Sequence, residues 1–118
     1  MVREHSQIKL ILAAIHPRRI VLTATRGKEL VGYAIGAVPK RGPGQIFWLY
    51  VAPNDRGQNL GLQLLSRMMK LQKQLGAATI ALATHDFQRY YLRQGFEYQS
   101  SYEIEGVKMQ ILTYDLYK

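Results

Sequence analysis

A short polar loop near the middle of the chain contains the residue types that bind phosphate. Arg56 supplies a positive charge, and Gly57 and Gly61 carry no side chain that would hold a ligand away from the backbone. The pattern of the following residues predicts a helix beginning at Leu60. Free N–H groups and the helix dipole at such an N-terminus favour an anion. The loop therefore predicts binding of a phosphate-bearing ligand; an ordinary turn before a helix, with no ligand, is the alternative interpretation.

Other common chemistries have few residues available to them. The chain contains no cysteine, so disulfides, thiol nucleophiles and zinc–cysteine clusters are excluded. Its three histidines, His5, His16 and His85, are scattered and form no pair at the spacing of metal ligands. We therefore predict no metal site.

The elements around the loop predict a strand-helix-strand unit. Residues 45–51 are rich in aromatic and β-branched residues and are typical of a buried strand. Apolar residues then recur at helical spacing until Gly76, which is a natural helix stop. They are Leu60, Leu64, Met68, Leu71 and Leu75, with Leu65 and Met69 beside them. Residues 78–84 are short and apolar, as expected of a parallel neighbour in one right-handed βαβ unit.

The rest of the chain predicts further strands and two short helices. The predicted elements are a helix over 3–15 ended by Pro17, a hairpin of strands 19–26 and 30–38, a helix over 87–94 capped by Asp86 or Thr84, and a terminal hairpin of strands 96–103 and 107–116. Gly32 and Gly36 share one face of their strand, and indicate either a shallow strip for another group or, as the alternative, a bulge or tight packing. Together these elements predict a mixed sheet with helices on its faces.

Residues 56–61, RGQNLG, resemble the R/Q-x-x-G-x-G/A signature of the GNAT superfamily of acyl-CoA N-acyltransferases. The resemblance implies that this loop binds the pyrophosphate of coenzyme A and that the preceding strand pairs with the pantetheine arm. The cofactor-binding residues it implies are Leu49, Tyr50, Val51, Arg56, Gly57, Gln58, Asn59, Leu60, Gly61 and Leu62. Asn59 stands where the family usually has glycine, but asparagine tolerates a left-handed backbone best among the non-glycine residues.

Residues 91–96, YLRQGF, are similar to a second GNAT motif, Tyr-x-x-x-Gly-Phe. In the family that tyrosine often protonates the coenzyme A thiolate as it leaves, which would make Tyr91 the general acid. Tyr90 is the adjacent alternative, because successive helical positions point about 100° apart and only one ring can face the sulfur. Packing in the core is the other interpretation of either ring.

The resemblance implies an α/β fold of GNAT type, with a central mixed sheet of about six strands flanked by three helices. It also implies direct transfer of an acetyl group from acetyl-CoA to a primary amine, with a backbone N–H near Val51 polarising the carbonyl. Many relatives place a glutamate base on the fourth strand, where this chain has Phe47, Trp48 and Tyr50. His85, after the next strand, is the best substitute by position and by its ordinary pKa near ~6.5.

Length and composition bound the remaining possibilities. A chain of 118 residues, 47% hydrophobic, predicts a single domain spanning 1–118 with a real core. No apolar run approaches the ~20 residues of a membrane span and no secretory signal is recognisable, so we expect a cytoplasmic protein. The net charge of +8 favours anionic partners, coenzyme A and nucleic acid among them, or simply serves solubility.

Two other functions stay open at the level of sequence. A GNAT-like binding or regulatory module with weak or no catalysis fits Asn59 and the missing glutamate. A nucleic-acid-associated protein fits the charge, although the aromatic residues sit in core-like strands rather than between lysines and arginines. The acceptor could be a small amine or a protein amine, and the chain a monomer or a homodimer.

Overall fold

In a computed structural model, residues 18–118 and the backbone of residues 2–4 are described, and they form a mixed sheet with helices packed on it. The strands are β1 (Val2–Glu4), β2 (Arg19–Arg26), β3 (Glu29–Ala37), β4 (Gly44–Val51), β5 (Thr79–Thr84), β6 (Glu97–Ile104) and β7 (Val107–Asp115). The helices are α1 (Leu60–Gln74) and α2 (Gln88–Arg93), with a 3-10 turn at Pro53–Asp55. The predicted α/β mixed sheet is therefore confirmed.

The sheet has seven strands in the order β1-β2-β3-β4-β5-β7-β6, one more than the six expected from sequence. Every neighbouring pair is antiparallel except β4 and β5, which are parallel and joined through α1. This is the predicted βαβ unit. The terminal hairpin of β6 and β7 is also confirmed, with its turn at Glu105 and Gly106.

The helix predicted over residues 3–15 is wrong at its first two residues. Residues 3 and 4 belong to β1, which pairs with Leu22 to Ala24 of β2, so the predicted helix does not begin at residue 3. The remainder of that predicted helix, from residue 5, lies outside the described residues. The described residues contain two α-helices, and none of their helices has both the length and the apolar character needed to cross a membrane.

Helix α1 packs its apolar stripe directly on the sheet. Leu64, Leu65 and Met68 are fully buried against the central strands. The glycines of β3 let the helix approach: a Cβ on Gly32 would lie 2.9 Å from the Tyr50 carbonyl oxygen and 3.2 Å from Leu64 Cδ1. Gly32 and Gly36 therefore reflect tight packing, and Gly36 also lies at a β-bulge, where the register with β4 shifts.

Helix α2 is short and closes the same face of the sheet further along. Thr84 at the end of β5 accepts a hydrogen bond from the Phe87 N–H at 3.1 Å, one residue before α2 begins, but α2 itself has no side-chain cap from Thr84 or Asp86. Tyr91 packs edge-on against Phe96, whose ring in turn contacts Tyr114 of β7. The aromatic contacts therefore fix α2 beside α1, where β4 and β5 end.

Replacement of Gly36 by alanine tests this close packing. The added Cβ would lie 2.5 Å from the Gln45 carbonyl oxygen and 2.7 Å from Gln72 Nε2, so strand and helix must move apart. We expect a loss of about 1–3 kcal/mol in the free energy of unfolding, measured by urea denaturation. Gly61→Ala is the matched control, since its Cβ meets nothing closer than 3.6 Å. Equal stability of the two variants would contradict this packing.

Candidate functional site

A bulge in β4 opens the sheet at its centre. The register with β3 pairs Ile35 with Trp48 but Gly36 with Ile46, so Phe47 is an extra residue on the β4 side. The parallel pairing with β5 covers only Gly44 to Ile46. Beyond the bulge the two strands are no longer paired, and a gap opens between them.

A cleft of about 430 Å³ lies against the part of β4 that follows the bulge. It is lined by Leu49, Tyr50 and Val51 of β4, by Arg56, Gly57, Asn59, Leu60, Gly61 and Leu62 of the loop and α1, and by Phe87, Tyr90, Tyr91 and Gln94 of the α2 segment. Nine of the ten predicted cofactor-binding residues therefore share one cleft. Gln58 is the exception, exposed and outside the lining.

The loop before α1 has the backbone geometry that an anion site needs. Asn59 adopts a left-handed conformation, φ 63° and ψ 13°, and precedes the helix without a side-chain cap. The first N–H groups of α1 consequently have no capping partner from Asn59. Gly57, at φ 82°, also needs the left-handed region and has open space where a side chain would be. Asn59 thus adopts the left-handed conformation that asparagine was expected to tolerate.

Charged side chains hold the loop in place from both sides. Asp55 is buried and forms an ion pair with Arg26 at 2.9 Å, which ties the 3-10 turn to β2. Arg56 Nε donates a hydrogen bond to the Val51 carbonyl oxygen at 2.9 Å, so its guanidinium lies against the end of β4. Since Arg56 remains exposed, its positive charge is available to a ligand in the cleft.

The two tyrosines of α2 both line the cleft but differ in their environment. Burial, followed by the neighbouring Tyr90 phenol, raises the pKa of Tyr91 to about 12. Burial also raises the pKa of Tyr90, whose hydroxyl is enclosed and has no hydrogen-bond partner within the described residues. That hydroxyl lies 3.6 Å from where a Cβ on Gly61 would be, at the start of α1. An enclosed phenol without a partner, next to free helix N–H groups, fits a polar ligand.

His85 does not join this group. It follows β5 but is exposed, lies 3.5 Å from the Asp86 carboxylate through its Nε2, and is absent from the lining of the cleft. Conversely, Phe87 and Gln94 line the cleft although the sequence analysis did not select them. Their positions, 87 and 94, share a helical face with 90 and 91, and that periodicity could have identified them.

A second groove, of about 360 Å³, follows the seam between β4, β5 and β7. Its lining is apolar apart from one amide: Gln45, Ile46, Phe47, Ala81, Leu82, Ala83, Met109 and Ile111. Since no charged residue lines it, this groove offers shape and apolar contact rather than charge to a partner molecule.

Comparison with known proteins places the chain in a family. The sequence profile of the acetyltransferase (GNAT) domain matches residues 17–98. The chain therefore belongs to the GNAT family of acetyltransferases, as the two motifs predicted. No curated protein sequence matches it at a significant level.

Solved structures share the fold. A Desulfovibrio desulfuricans protein described as a GNAT-family acetyltransferase superposes with a TM-score of 0.79 at 18% identity, covering 98% of both chains. PaiA N-acetyltransferase from Thermoplasma acidophilum, solved with coenzyme A, gives 0.73 at 18% identity and covers 92% of this chain and 67% of its own. An aminoglycoside 6'-N-acetyltransferase, also solved with coenzyme A, gives 0.77 at 15% identity over 98% and 97%. At these identities the likeness establishes the fold.

Substitutions at Asn59 test the loop geometry without any ligand. Alanine in the left-handed region loses the local tolerance of asparagine, so Asn59→Ala should cost about 1 kcal/mol of unfolding free energy. Asn59→Gly should be at least as stable as the wild type, because glycine adopts this conformation freely. Urea midpoints with an unchanged m-value measure both effects. If alanine were tolerated as well as glycine, the left-handed conformation would be wrong.

Proposed function

We propose that the protein is an N-acetyltransferase that transfers an acetyl group from acetyl-CoA directly to a primary amine, with Tyr91 as general acid. The observation that carries this proposal is the continuity of the cleft. One cavity is lined by Arg56 and the start of α1, by the unpaired part of β4, and by both tyrosines of α2. Those are an anion-binding end, an extended backbone edge and proton donors, which suit a long phosphorylated thioester.

The residues of the cleft fit coenzyme A segment by segment. Arg56 and the uncapped N–H groups at the start of α1 would hold the pyrophosphate. The edge of β4 at Leu49–Val51, which has no partner in β5, would pair with the amides of the pantetheine arm. The enclosed Tyr90 hydroxyl would gain a hydrogen-bond partner. In each case coenzyme A would supply a hydrogen-bonding partner that the unliganded protein lacks.

Acetyl-CoA, the acyl donor, supplies an acetyl group activated as a thioester. The chain's own contribution is to orient it: a main-chain N–H near Val51 would polarise the carbonyl oxygen. The amine must be neutral to attack. Because His85 does not line the cleft, it could act as base only through water. An amine with a pKa near ~8, such as a protein N-terminus, would need least help.

The high pKa of Tyr91 limits how the phenol can assist the leaving thiolate. At about 12, the phenol keeps its proton throughout the neutral range and can donate to the departing sulfur. A free thiol has a pKa near ~8.5, so full transfer to the thiolate is uphill. The phenol would therefore act chiefly by hydrogen bonding as the C–S bond breaks. The proton that the amine loses balances the one that the released thiol gains.

Binding of acetyl-CoA is the first test. A ligand at one hundred times its Kd stabilises the folded state by about 2.7 kcal/mol, so the thermal unfolding midpoint should rise. Arg56→Ala should weaken the affinity about tenfold, the loss of one charge-assisted contact. Lys28→Ala, in the turn between β2 and β3, removes the same charge elsewhere and should leave the affinity unchanged. A wild-type protein that shows no shift would refute the proposed function; binding without turnover would identify a binding module instead.

Paired phenylalanine variants separate the tyrosines. Tyr91→Phe should lower kcat about a hundredfold with little change in the Kd for acetyl-CoA, whereas Tyr90→Phe should weaken binding and largely preserve kcat. Since burial raises the pKa of Tyr91 to about 12, its proton is retained as pH rises, and the wild-type rate should show no falling limb between pH 8 and pH 10. A falling limb in that window, absent in Tyr91→Phe, would contradict the assignment of the pKa.

A further inference from the structure

One polar residue interrupts the buried stripe of α1. Gln72 is completely buried, at the position where helical periodicity calls for an apolar side chain after Met68. Its Nε2 donates a hydrogen bond of 2.8 Å to the Gln45 carbonyl oxygen, while its Oε1 is enclosed without a partner in the described structure. A buried amide with half its capacity unused opposes folding more than methionine would, so packing alone does not explain this residue.

The carbonyl that Gln72 binds lies directly before the bulge, at a residue that still pairs in register with Ala37. Gln45 lies on the N-terminal side of Phe47, the extra residue that shifts the register between β3 and β4. A bulge disrupts the strand ladder locally, and the amide of Gln72 ties the peptide before it to α1. Two glycines make room for the amide. A Cβ on Gly36 would lie 2.7 Å from Gln72 Nε2, and a Cβ on Gly44 would overlap Gln72 Oε1.

The position of this contact connects it to the cleft. The parallel pairing of β4 with β5 ends at Ile46, one residue after the peptide that Gln72 holds. The same helix begins at Leu60 in the cleft, and the twelve-residue rise to Gln72 is about 18 Å. A single rigid element thus contacts both the phosphate-binding loop and the point at which the strands part.

We propose that Gln72 is a positioning residue for the acyl donor: by anchoring the Gln45 peptide to α1 it fixes the bulge, and with it the separation of β4 and β5. This inference rests on the proposed function, since it assigns the gap to the thioester arm. Gln72 does not line the cleft and touches no reacting atom. It acts through the backbone of β4.

Gln72→Met removes the donor and keeps the shape of the side chain. We expect amide hydrogen exchange to accelerate at residues 46–49 in the absence of any ligand. We expect kcat/KM for acetyl-CoA to fall about tenfold, within the hundredfold that a misplacement of about 1 Å can cost. Leu65→Val is the matched control: it loosens the same helix face without touching the bulge, and should leave both exchange at 46–49 and kcat/KM near wild type.

Gln72→Glu supplies a conditional rescue. A protonated carboxyl can donate to the Gln45 carbonyl and an ionised one cannot, and burial favours the protonated form. Relative to the wild type at each pH, affinity for acetyl-CoA should therefore be nearly normal at pH 5.5 and reduced at pH 8.5. An effect of Gln72→Met no larger than that of Leu65→Val would overturn the inference. If the wild type itself fails to bind acetyl-CoA the proposed function fails, while exchange at 46–49 still decides whether Gln72 holds the bulge.

Discussion

The incomplete pairing of two parallel strands governs the structure around the cleft. Backbone N–H and C=O groups inside a sheet are normally all paired, and leaving them unpaired in the interior is costly. Here the ladder between β4 and β5 stops at Ile46, because the extra residue Phe47 turns β4 away from its neighbour. The remainder of β4 presents an open edge in the middle of the sheet. A ligand with its own amides, such as the pantetheine arm, can complete that ladder as no side chain could.

Helix α1 gives the cleft beside this open edge one polar end. Its first turn faces the cleft with uncapped N–H groups, and its buried stripe presses on the glycines of β3. The loop before it is braced by the Arg26–Asp55 ion pair. The proposed anion-binding end of the cleft and its apolar wall are therefore held at a constant distance by one helix. The net charge of +8 would add a long-range attraction for an anionic ligand, weakening as salt is raised.

The elements that the sequence predicted well are those with strong local patterns. The change from an aromatic strand to the helical stripe after Leu60 identified the βαβ unit. The left-handed conformation of Asn59 followed from its place in the motif, where glycine is usual, and from the tolerance of asparagine for it. The two motifs together were sufficient to identify the family. A bulge was one interpretation of Gly32 and Gly36, but the extra residue on β4 was not predictable, because residues 45–51 look like one uninterrupted strand and register is decided by the neighbouring strand.

Three further outcomes depend on tertiary contacts that local patterns do not contain. The strand at Val2–Glu4 forms because β2 offers it a pairing edge, which outweighs local propensity. Gln72 lies within an apolar stripe in the sequence, and its hydrogen bond to the Gln45 carbonyl is visible only in the folded structure. His85 looked suitable by sequence position, yet the end of β5 directs it toward Asp86 and solvent.

Trp48 gives the bulge an optical signature. It is the only tryptophan in the chain, it directly follows the extra residue Phe47, and its ring is 56% exposed within contact of the Phe47 ring. Indole emission responds to hydration and to nearby aromatic rings, so the natural fluorescence of the protein reports on the place where the strands diverge. Closure of the gap around an occupant can thus be followed in solution without attaching a dye.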